Sequence, residues 1–450
     1  MVAGSPEGPQ PGRRRIRPVG PVGTGPLEPL QNHPTASDSQ RQQGTTRDAL
    51  GVPAFRRIYV ASFVSNAGRW MQTIAVGVLG WELTGSNSFL GQLIFAQLIP
   101  LAFLSLIGGS LADTMNSRIL LTITQVWQMA FTLLLAFLLI DGEIAETTLL
   151  ALVFITGLGQ GIYAPVFTSV LPTLVGRENL TAAVSLNSVQ VNGARIIGPA
   201  IGGFLVARFG FAEVFLLNGI TYLAVIGAVV MTRFPDPATH PRPLKDRLLG
   251  GFVVASRAPQ VGRPLIIMTA FSLFCLPFIG QLPAIAEDQL GIDAESTTYG
   301  SFYAVFGVGA LFGALMVGTV LLNQDKVRIT RLSLALFAVS LAGLASVSSA
   351  PSGFVMIFLV AVFYFALPTT LNTLWQQHVN DSVRGRVAAL WVLSFGGTVP
   401  IANLVAGRVV ELTSLRTVMF FGAIAAAGMA LVVRLPSGPV VGEDLLQMNS

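Results

Sequence analysis

The sequence predicts an all-α membrane protein, with twelve transmembrane helices arranged as two bundles of six. The first indication is composition: 52% of the 450 residues are hydrophobic and only 11% are charged, whereas soluble domains carry about a quarter charged residues. The second is a series of apolar runs long enough to cross a bilayer. The third is a pattern of helix breakers that recurs in the two halves of the chain. Lipid is therefore the expected solvent of this fold.

The apolar runs follow one another closely and are separated by short turns rich in Gly, Ser, Asn and Pro. Such short turns join antiparallel neighbours, so consecutive helices should cross the membrane in alternate directions. The predicted spans are 57–81, 88–112, 117–140, 147–173, 180–207, 211–232, 263–285, 298–322, 329–349, 352–377, 384–410 and 414–434.

Two polar stretches divide the chain. The first is rich in Pro, Gly, Gln, Ser and Arg and predicts a disordered cytoplasmic tail, and the second separates six spans from six. The predicted organisation is a tail at 1–50, an N-terminal bundle at 51–232, a cytoplasmic linker at 233–263, a C-terminal bundle at 264–434 and a cytoplasmic C-terminal tail at 435–450.

The basic residues predict the orientation. With the N-terminus in the cytoplasm, 22 of the 27 Lys and Arg lie on the cytoplasmic side, and only Arg208, Arg408 and Arg416 lie on the other side. This asymmetry predicts a multi-pass protein of the plasma membrane with both termini cytoplasmic. Topology explains the net charge of +5, so no nucleic-acid partner is expected. The expected partners are the lipid bilayer and a small-molecule substrate, with the protein a monomer.

The two halves resemble each other in the position of their helix breakers. An offset of 201 residues places Pro199 over Pro400, and an offset of 209 residues places Gly91 over Gly300. Two similar halves with the same starting side predict a parallel six-helix repeat, with the substrate site between the halves near the middle of the membrane. Chance coincidence of Gly and Pro in an apolar bundle is the alternative explanation.

The turn between the second and third spans carries a local signature. Gly109-Ser110-Leu111-Ala112-Asp113, with Arg118 five positions further on, resembles the cytoplasmic loop signature of the major facilitator superfamily of transporters. The resemblance implies that Gly109 packs closely, that Asp113 is a gate carboxylate and that Arg118 is its basic partner. The sequence departs from the family pattern at Thr114, Asn116 and Ser117, so its gate should hold fewer ion pairs.

The gate prediction extends to the eleventh span. Arg384 and Arg386 stand at the start of that span on the same predicted membrane side as Asp113, so we expect the carboxylate to close against them. A simpler interpretation is that Asp113 caps the N-terminus of the third helix, which is compatible with the gate role.

The fifth span carries Arg195 followed by Gly198, Pro199, Gly202 and Gly203. This run is similar to the Gly-Pro signature associated with exporters and antiporters of the superfamily, and the resemblance implies a functional bend. Pro removes a backbone hydrogen bond, and the glycines permit close packing and sliding, so the segment is a predicted hinge and coupling element. The alternative is ordinary membrane packing, since Gly and Pro are common in transmembrane helices.

Three further segments refine the family. Residues 65–72, 81–86 and 381–387 resemble the enterobactin-exporter-like branch, also called transmembrane secretion effectors, over roughly residues 52–434. The resemblance implies secondary active export of small amphiphilic molecules, such as a drug, siderophore or other metabolite, by alternating access. No cofactor is expected, and a proton gradient is the candidate energy source, in an antiport cycle. Arg69 stands where relatives often place an acidic or neutral residue, which puts a carboxylate proton carrier there in doubt.

Charged and polar residues inside the spans are the candidates for the substrate site, because an unpaired charge in the membrane is costly. Arg69 and Arg195 are the only charges placed deep in a span, and each has a structural alternative: Gln72 or backbone carbonyls could satisfy Arg69, and Arg195 could serve structure or coupling. The candidate cavity residues are Asn66, Arg69, Trp70, Gln160, Tyr163, Asn187, Gln190, Asn192, Gln281, Tyr364, Asn372 and Trp375. Such aromatics, amides and cations suit an amphiphilic, anionic cargo.

Other classes of function are less well supported. The single Cys275 and three widely spaced histidines provide no metal cluster. The sequence has no Walker-type phosphate loop and no common hydrolase signature, so the protein is not predicted to be an enzyme. The alternatives to export are uptake or lipid translocation in the same fold, or a non-transporting membrane sensor.

Overall fold

The computed structural model describes residues 1–2, 4, 44–142, 144–234, 244–436 and 438–442, with the backbone alone for 106, 108–110, 112–113, 177, 244–249 and 381–382. The chain divides into two units, Met1–Gln43 and Gly44–Ser450, and every helix named below belongs to the second. Most of the predicted tail at 1–50 lies outside the described residues.

The first half of the chain forms a short helix followed by six long ones. Their bounds are α1 Thr46–Gly51, α2 Pro53–Thr84, α3 Asn87–Thr114, α4 Ser117–Ile140, α5 Glu146–Gly176, α6 Glu178–Phe209 and α7 Phe211–Val230. Helices α5 and α6 run on without a loop and turn at Gly176, whose φ of 77° favours glycine.

The second half repeats this arrangement, and its short first helix lies inside the predicted linker. Its helices are α8 Leu244–Arg257, α9 Pro259–Gln289, α10 Thr297–Gly318, α11 Lys326–Ser346, α12 Ala350–Gln377, α13 Val383–Leu412 and α14 Leu415–Val432. Helix α9 contains a 3-10 turn at Pro277–Gln281, and α13 contains a wide π turn at Leu393–Gly397.

The structure confirms an all-α membrane fold. Within the described residues, eleven helices are long and apolar enough to cross a membrane. Helix α2 is long enough at 32 residues, but Asn66, Arg69 and Gln72 lower its mean hydropathy. Together the twelve are consistent with the predicted two sets of six.

The predicted polar turns act as helix caps. The side chains of Ser86, Asn116 and Ser296 each accept a hydrogen bond from a backbone N–H in the first turn of the helix that follows. Such caps satisfy donors that the helix itself cannot satisfy, so they fix where each span begins. The same chemistry gives α1 its capping box of Thr45 and Asp48, so helical structure is present within the predicted tail, before residue 51.

The linker predicted at 233–263 is partly helical. Its apolar residues Val254 and Ala258 are buried with Val383 and Val387 of α13 in one hydrophobic cluster. Helix α9 begins at Pro259, a position suited to the first turn of a helix. The second bundle thus starts a few residues earlier than the predicted boundary.

Alternation of the helices gives the molecule two membrane faces. The acidic face carries the helix ends near residues 84–87, 140–146, 209–211, 289–297, 346–350 and 412–415, where Asp and Glu outnumber Arg. The basic face carries the helix ends near residues 53, 114–117, 176–178, 230, 259, 318–326, 377–383 and 432.

Candidate functional site: a central charged cluster closed at the acidic face

Helices α6 and α10 bring the two halves into backbone contact. A Cβ atom on Gly203 would lie 2.4 Å from the Cα of Gly300, so only glycine fits at either position. Further from the acidic face, a Cβ on Gly307 would lie 2.8 Å from the carbonyl oxygen of Arg195. Small residues let transmembrane helices approach this closely.

Helices α3 and α13 make the equivalent contact on the other side of the interface. A Cβ on Gly91 would lie 2.4 Å from the carbonyl oxygen of Asn403, and one on Gly407 would lie 2.5 Å from that of Asn87. The offsets found in the sequence relate this contact to that of α6 with α10. Gly91 of α3 is equivalent to Gly300 of α10 at the 209-residue offset. Gly203 of α6 is equivalent, at the 201-residue offset, to Leu404 of α13, which a Cβ on Gly91 would also approach. The internal repeat is therefore visible in how the halves meet.

Polar contacts reinforce this closure at the acidic face. Glu411, at the end of α13, accepts hydrogen bonds from the Ser86 hydroxyl at 2.6 Å and from the Ser88 backbone N–H at 3.1 Å. Its carboxylate thus caps the N-terminus of α3 in the other half, where negative charge is stabilised. Gln281 donates to the carbonyl oxygen of Asn87 at 3.2 Å. The described contacts define a conformation with the acidic face closed.

Arg195 lies at mid-span in α6, on the interface between the halves. Its guanidinium carbon is 5.1 Å from the ring centroid of Trp70 in the same half and 4.5 Å from that of Phe365 in the other half. One terminal nitrogen donates weakly to Asn192 Oδ1 at 3.4 Å. The buried Nε of Arg195 and the buried indole nitrogen of Trp70 have no hydrogen-bond partner among the described residues.

Arg69 lies at the same depth in α2. Its Nη2 donates to Asn66 Oδ1 at 2.6 Å, and Tyr163 and Tyr222 lie within electrostatic range of its charge. Arg69 and Arg195 are also close enough to act on each other electrostatically. We call Arg69, Trp70, Arg195, Tyr163, Tyr222, Tyr303, Tyr364 and Phe365 the central cluster.

A buried amide network, which the sequence pattern does not predict, supports this region from within the first half. Asn218 and Thr132 both donate to Gln72 Oε1, the latter at 3.2 Å. Gln72 is therefore engaged by α4 and α7 and does not satisfy Arg69. Asn218 could have been found as an amide within the apolar run 211–232, whereas nothing in the sequence distinguishes Phe365 among 29 phenylalanines.

The remaining cavity candidates occupy several environments. Gln160, Asn187 and Asn372 are half-buried, and Gln190 is buried with its amide nitrogen unpartnered among the described residues. Tyr364 packs beside Phe365, with ring centroids 4.2 Å apart and ring planes tilted by 51°, and so belongs to the central cluster. Trp375 packs in the same hydrophobic cluster as the linker helix.

The predicted gate residues are only partly described. Gly109 and Asp113 are described by their backbone alone, so the side chain of Asp113 lies outside the described part of the structure. Arg118 is exposed and donates to the carbonyl oxygen of Val230, so it ties α4 to α7 within one half. The gate pairing of these residues remains a prediction.

The two arginines of the predicted gate on α13 also have a place in the structure. Arg384 is exposed and Arg386 is half-buried. Linker helix α8 packs over Arg386, because a Cβ on Gly250 would lie 2.8 Å from its Cδ. The linker therefore contacts the start of α13 directly.

The glycines of the predicted hinge serve two contacts. A Cβ on Gly198 would lie 2.6 Å from the carbonyl oxygen of Ala67, and one on Gly202 would lie 2.9 Å from the Cα of Met71. These two glycines pack α6 against α2 of the same half, while Gly203 faces the other half. Pro199 lies between them, and its carbonyl oxygen approaches Gly300.

Comparison with known proteins identifies the family. The model of the transmembrane secretion effector family matches residues 45–447. The chain is 26% identical over 354 residues to the staphyloferrin A transporter of Staphylococcus aureus, covering 77% of this chain and 87% of that protein. It is 28% identical over 360 residues to the enterobactin exporter EntS of Escherichia coli, covering 75% and 81% respectively.

Solved structures show the same fold. The nucleoside transporter NupG matches with a TM-score of 0.70 at 12% identity, covering 84% of this chain and 98% of that one. A bacterial homologue of the iron transporter ferroportin matches with a TM-score of 0.64 at 15% identity, covering 84% and 97%. With the family match, this shows that the chain is a secondary transporter that belongs to the transmembrane secretion effector family of the major facilitator superfamily.

Proposed function

We propose that the protein exports a siderophore-like small molecule from the cytoplasm by alternating access. The observation that carries this proposal is a cluster of cations and aromatic rings at mid-membrane, between two halves that are closed at one face. A binding site at the interface of two repeats is where a transporter of this architecture holds its cargo. The named relatives, one a siderophore transporter and the other a siderophore exporter, support this cargo class.

The proposed orientation places the basic face in the cytoplasm, as the positive-inside rule requires. The closed acidic face then faces outward, and the conformation described here is the one that receives cargo from inside. Opening the contacts of α6 with α10 and of α3 with α13 would release cargo to the outside. In this outward-open state, we propose that Asp113 pairs with Arg384 and Arg386 and so closes the cytoplasmic side.

We further propose that a proton gradient drives the cycle. The described carboxylates lie at helix ends and not beside the central cluster, so protons would act at the gates. Glu82 of α2 and Glu287, Asp293 and Glu295 of the second half line one pocket of about 530 Å³ at the acidic face. The protonation of this pocket can therefore change as the halves part.

Transport in oriented vesicles tests the proposal. Inverted membrane vesicles that contain the protein should accumulate enterobactin or staphyloferrin A when energised, because the cytoplasmic side faces the medium. Right-side-out vesicles should not accumulate either probe, and an uncoupler should abolish the accumulation. If neither probe is transported although the protein is present in the membrane at normal levels, the proposed cargo class is contradicted. Uptake only by right-side-out vesicles would contradict export.

A further inference from the structure

We propose that Arg195 and Arg69 form a binding site for an anionic oxygen group, a carboxylate or catecholate, set against an aromatic wall between the two halves. The identification of this group as part of the exported cargo rests on the proposed function. The anion site itself stands on four features of the central cluster: its charge, its unused donors, its cation–π contacts and its position across the interface.

Charge is the first feature. An unpaired arginine at the centre of a membrane helix costs about 2.5–3.5 kcal/mol on insertion scales, and here two lie within electrostatic range of each other. The described partners of the two guanidinium groups are neutral: Asn66, Asn192, aromatic rings and tyrosines. The carboxylates that the structure describes lie at helix ends. An anion between the arginines would supply the negative charge that this part of the membrane interior lacks.

Unused donors are the second feature. The Arg195 Nε and Trp70 Nε1 atoms are buried and have no hydrogen-bond partner among the described residues. A buried donor without a partner is destabilising, so such groups are normally satisfied. Both atoms are donors only, and Arg69 adds further donors in the same region. A ligand that satisfies them must present acceptors, as carboxylate and catecholate oxygens do.

The cation–π contacts of Arg195 are the third feature. The faces of Trp70 and Phe365 hold its guanidinium by cation–π contact, at 5.1 and 4.5 Å from the ring centroids. These ring contacts involve the charge of the guanidinium, whereas its Nε–H has no partner among the described residues and can donate to an oxygen of the ligand. Tyr303, whose ring lies 6.5 Å from that of Trp70, extends the aromatic wall. The arrangement favours an anion that carries a ring or another flat apolar part.

The position of the site makes it responsive to the state of the transporter. Arg195 and Trp70 belong to the first half and Phe365 to the second. When the two halves rock relative to each other, the contact of Arg195 with Phe365 changes, whereas its contact with Trp70 within the same half is preserved. The affinity for the anion therefore differs between the two states, which is the condition for a ligand to shift a conformational equilibrium.

Paired small probes test this site without knowledge of the cargo. Salicylate carries an aromatic ring and a carboxylate, and salicylamide is its neutral analogue. Calorimetric titration of the purified protein in lipid nanodiscs should show at least tenfold preference for salicylate. Arg195→Gln should weaken salicylate binding about ten- to hundredfold, as expected for loss of a charged hydrogen bond, and leave salicylamide binding unchanged.

Two further variants separate binding from folding. Arg195→Lys keeps the charge but loses the planar donors and should give intermediate affinity. Arg208→Gln removes an exposed arginine from the acidic-face end of the same helix and should bind both probes as wild type does. Monodispersity and an unchanged melting temperature without ligand establish that each variant is folded.

The outcomes distinguish the two proposals. The anion site would be overturned if the wild type bound both probes equally or bound neither detectably. It would also be overturned if folded Arg195→Gln or Arg195→Lys kept full affinity for salicylate. Selective salicylate binding that is lost in Arg195→Gln supports it. If that selectivity is present but neither siderophore is transported, the anion site stands and the proposed cargo is wrong.

Discussion

Gly203→Leu should hold the acidic face open and reduce transport to background. The side chain would enter the backbone of Gly300, since even a Cβ would lie 2.4 Å from that residue's Cα. Overpacking costs about 1–3 kcal/mol in ordinary cores, and the nearest atom here is a backbone atom that cannot rotate away. A change of that size moves a two-state equilibrium by about five- to 150-fold. Siderophore accumulation in inverted vesicles measures the effect.

A matched substitution separates this effect from general damage. Gly227→Leu introduces the same side chain in α7, where a Cβ would meet open space, and should transport normally. Gly407→Leu, at the related contact of α13 with the start of α3, should behave like Gly203→Leu. Normal transport by Gly203→Leu would show that this glycine contact does not form in the working cycle.

The equilibrium between the two states should depend on the pH at the acidic face. Burial, together with the neighbouring carboxylates of Glu295 and Glu287, raises the pKa of Glu82 to about 7 from its ordinary value of 4.5. Glu82 lies just beyond the predicted span 57–81, and the pocket it shares also contains Asp293. Both glutamates that act on it belong to the other half, so opening the acidic face removes their effect.

The direction of the pH effect follows from this difference. A carboxyl group with a higher pKa in the closed state favours closure when protonated, so closure is most favourable below pH 4.5. The preference declines as the pH rises from 4.5 to about 7 and is then constant. We expect acidification from pH 7 to 5.5 to increase the closed population several-fold, which labels across the acidic face can report.

Two carboxylate substitutions check the assignment to Glu82. Glu82→Gln is neutral at every pH and should abolish most of the pH dependence while leaving the closed state accessible. Glu146→Gln removes an exposed carboxylate from the same face, outside the pocket, and should leave the dependence as in wild type. An unchanged pH profile in Glu82→Gln would exclude this glutamate as the titrating group.

The sequence predicted the fold because apolar length and polar turns act locally. Each span is a run that only lipid or protein could cover, and the turn residues that interrupt the runs are the residues that cap the helices, as Ser86 and Asn116 show. The main difference is at Gly176, where two predicted spans meet at a corner without a loop. That corner depends on one left-handed backbone conformation, which composition alone does not reveal.

The site was predicted less completely, because its defining contacts join residues far apart in the chain. Arg69, Arg195, Trp70 and Tyr364 were recognisable as polar or aromatic residues within apolar runs. Their partners were not, since Phe365 resembles any other apolar residue of a span until the halves are assembled. Glu411 was equally inconspicuous, because a carboxylate at a helix end is ordinary until it caps a helix of the other half.

Alternating access requires that the two halves open one membrane face and close the other as cargo crosses the membrane. Distances between paired spin labels measure this directly. One pair, Asp141→Cys with Ser414→Cys, reports on the acidic face, and the other, Met115→Cys with Gln324→Cys, reports on the basic face. Both pairs are introduced in a Cys275→Ala background. At saturating enterobactin, the acidic-face distance should lengthen while the basic-face distance shortens. Distances that stay fixed, or that lengthen together at both faces, would contradict alternating access by this protein.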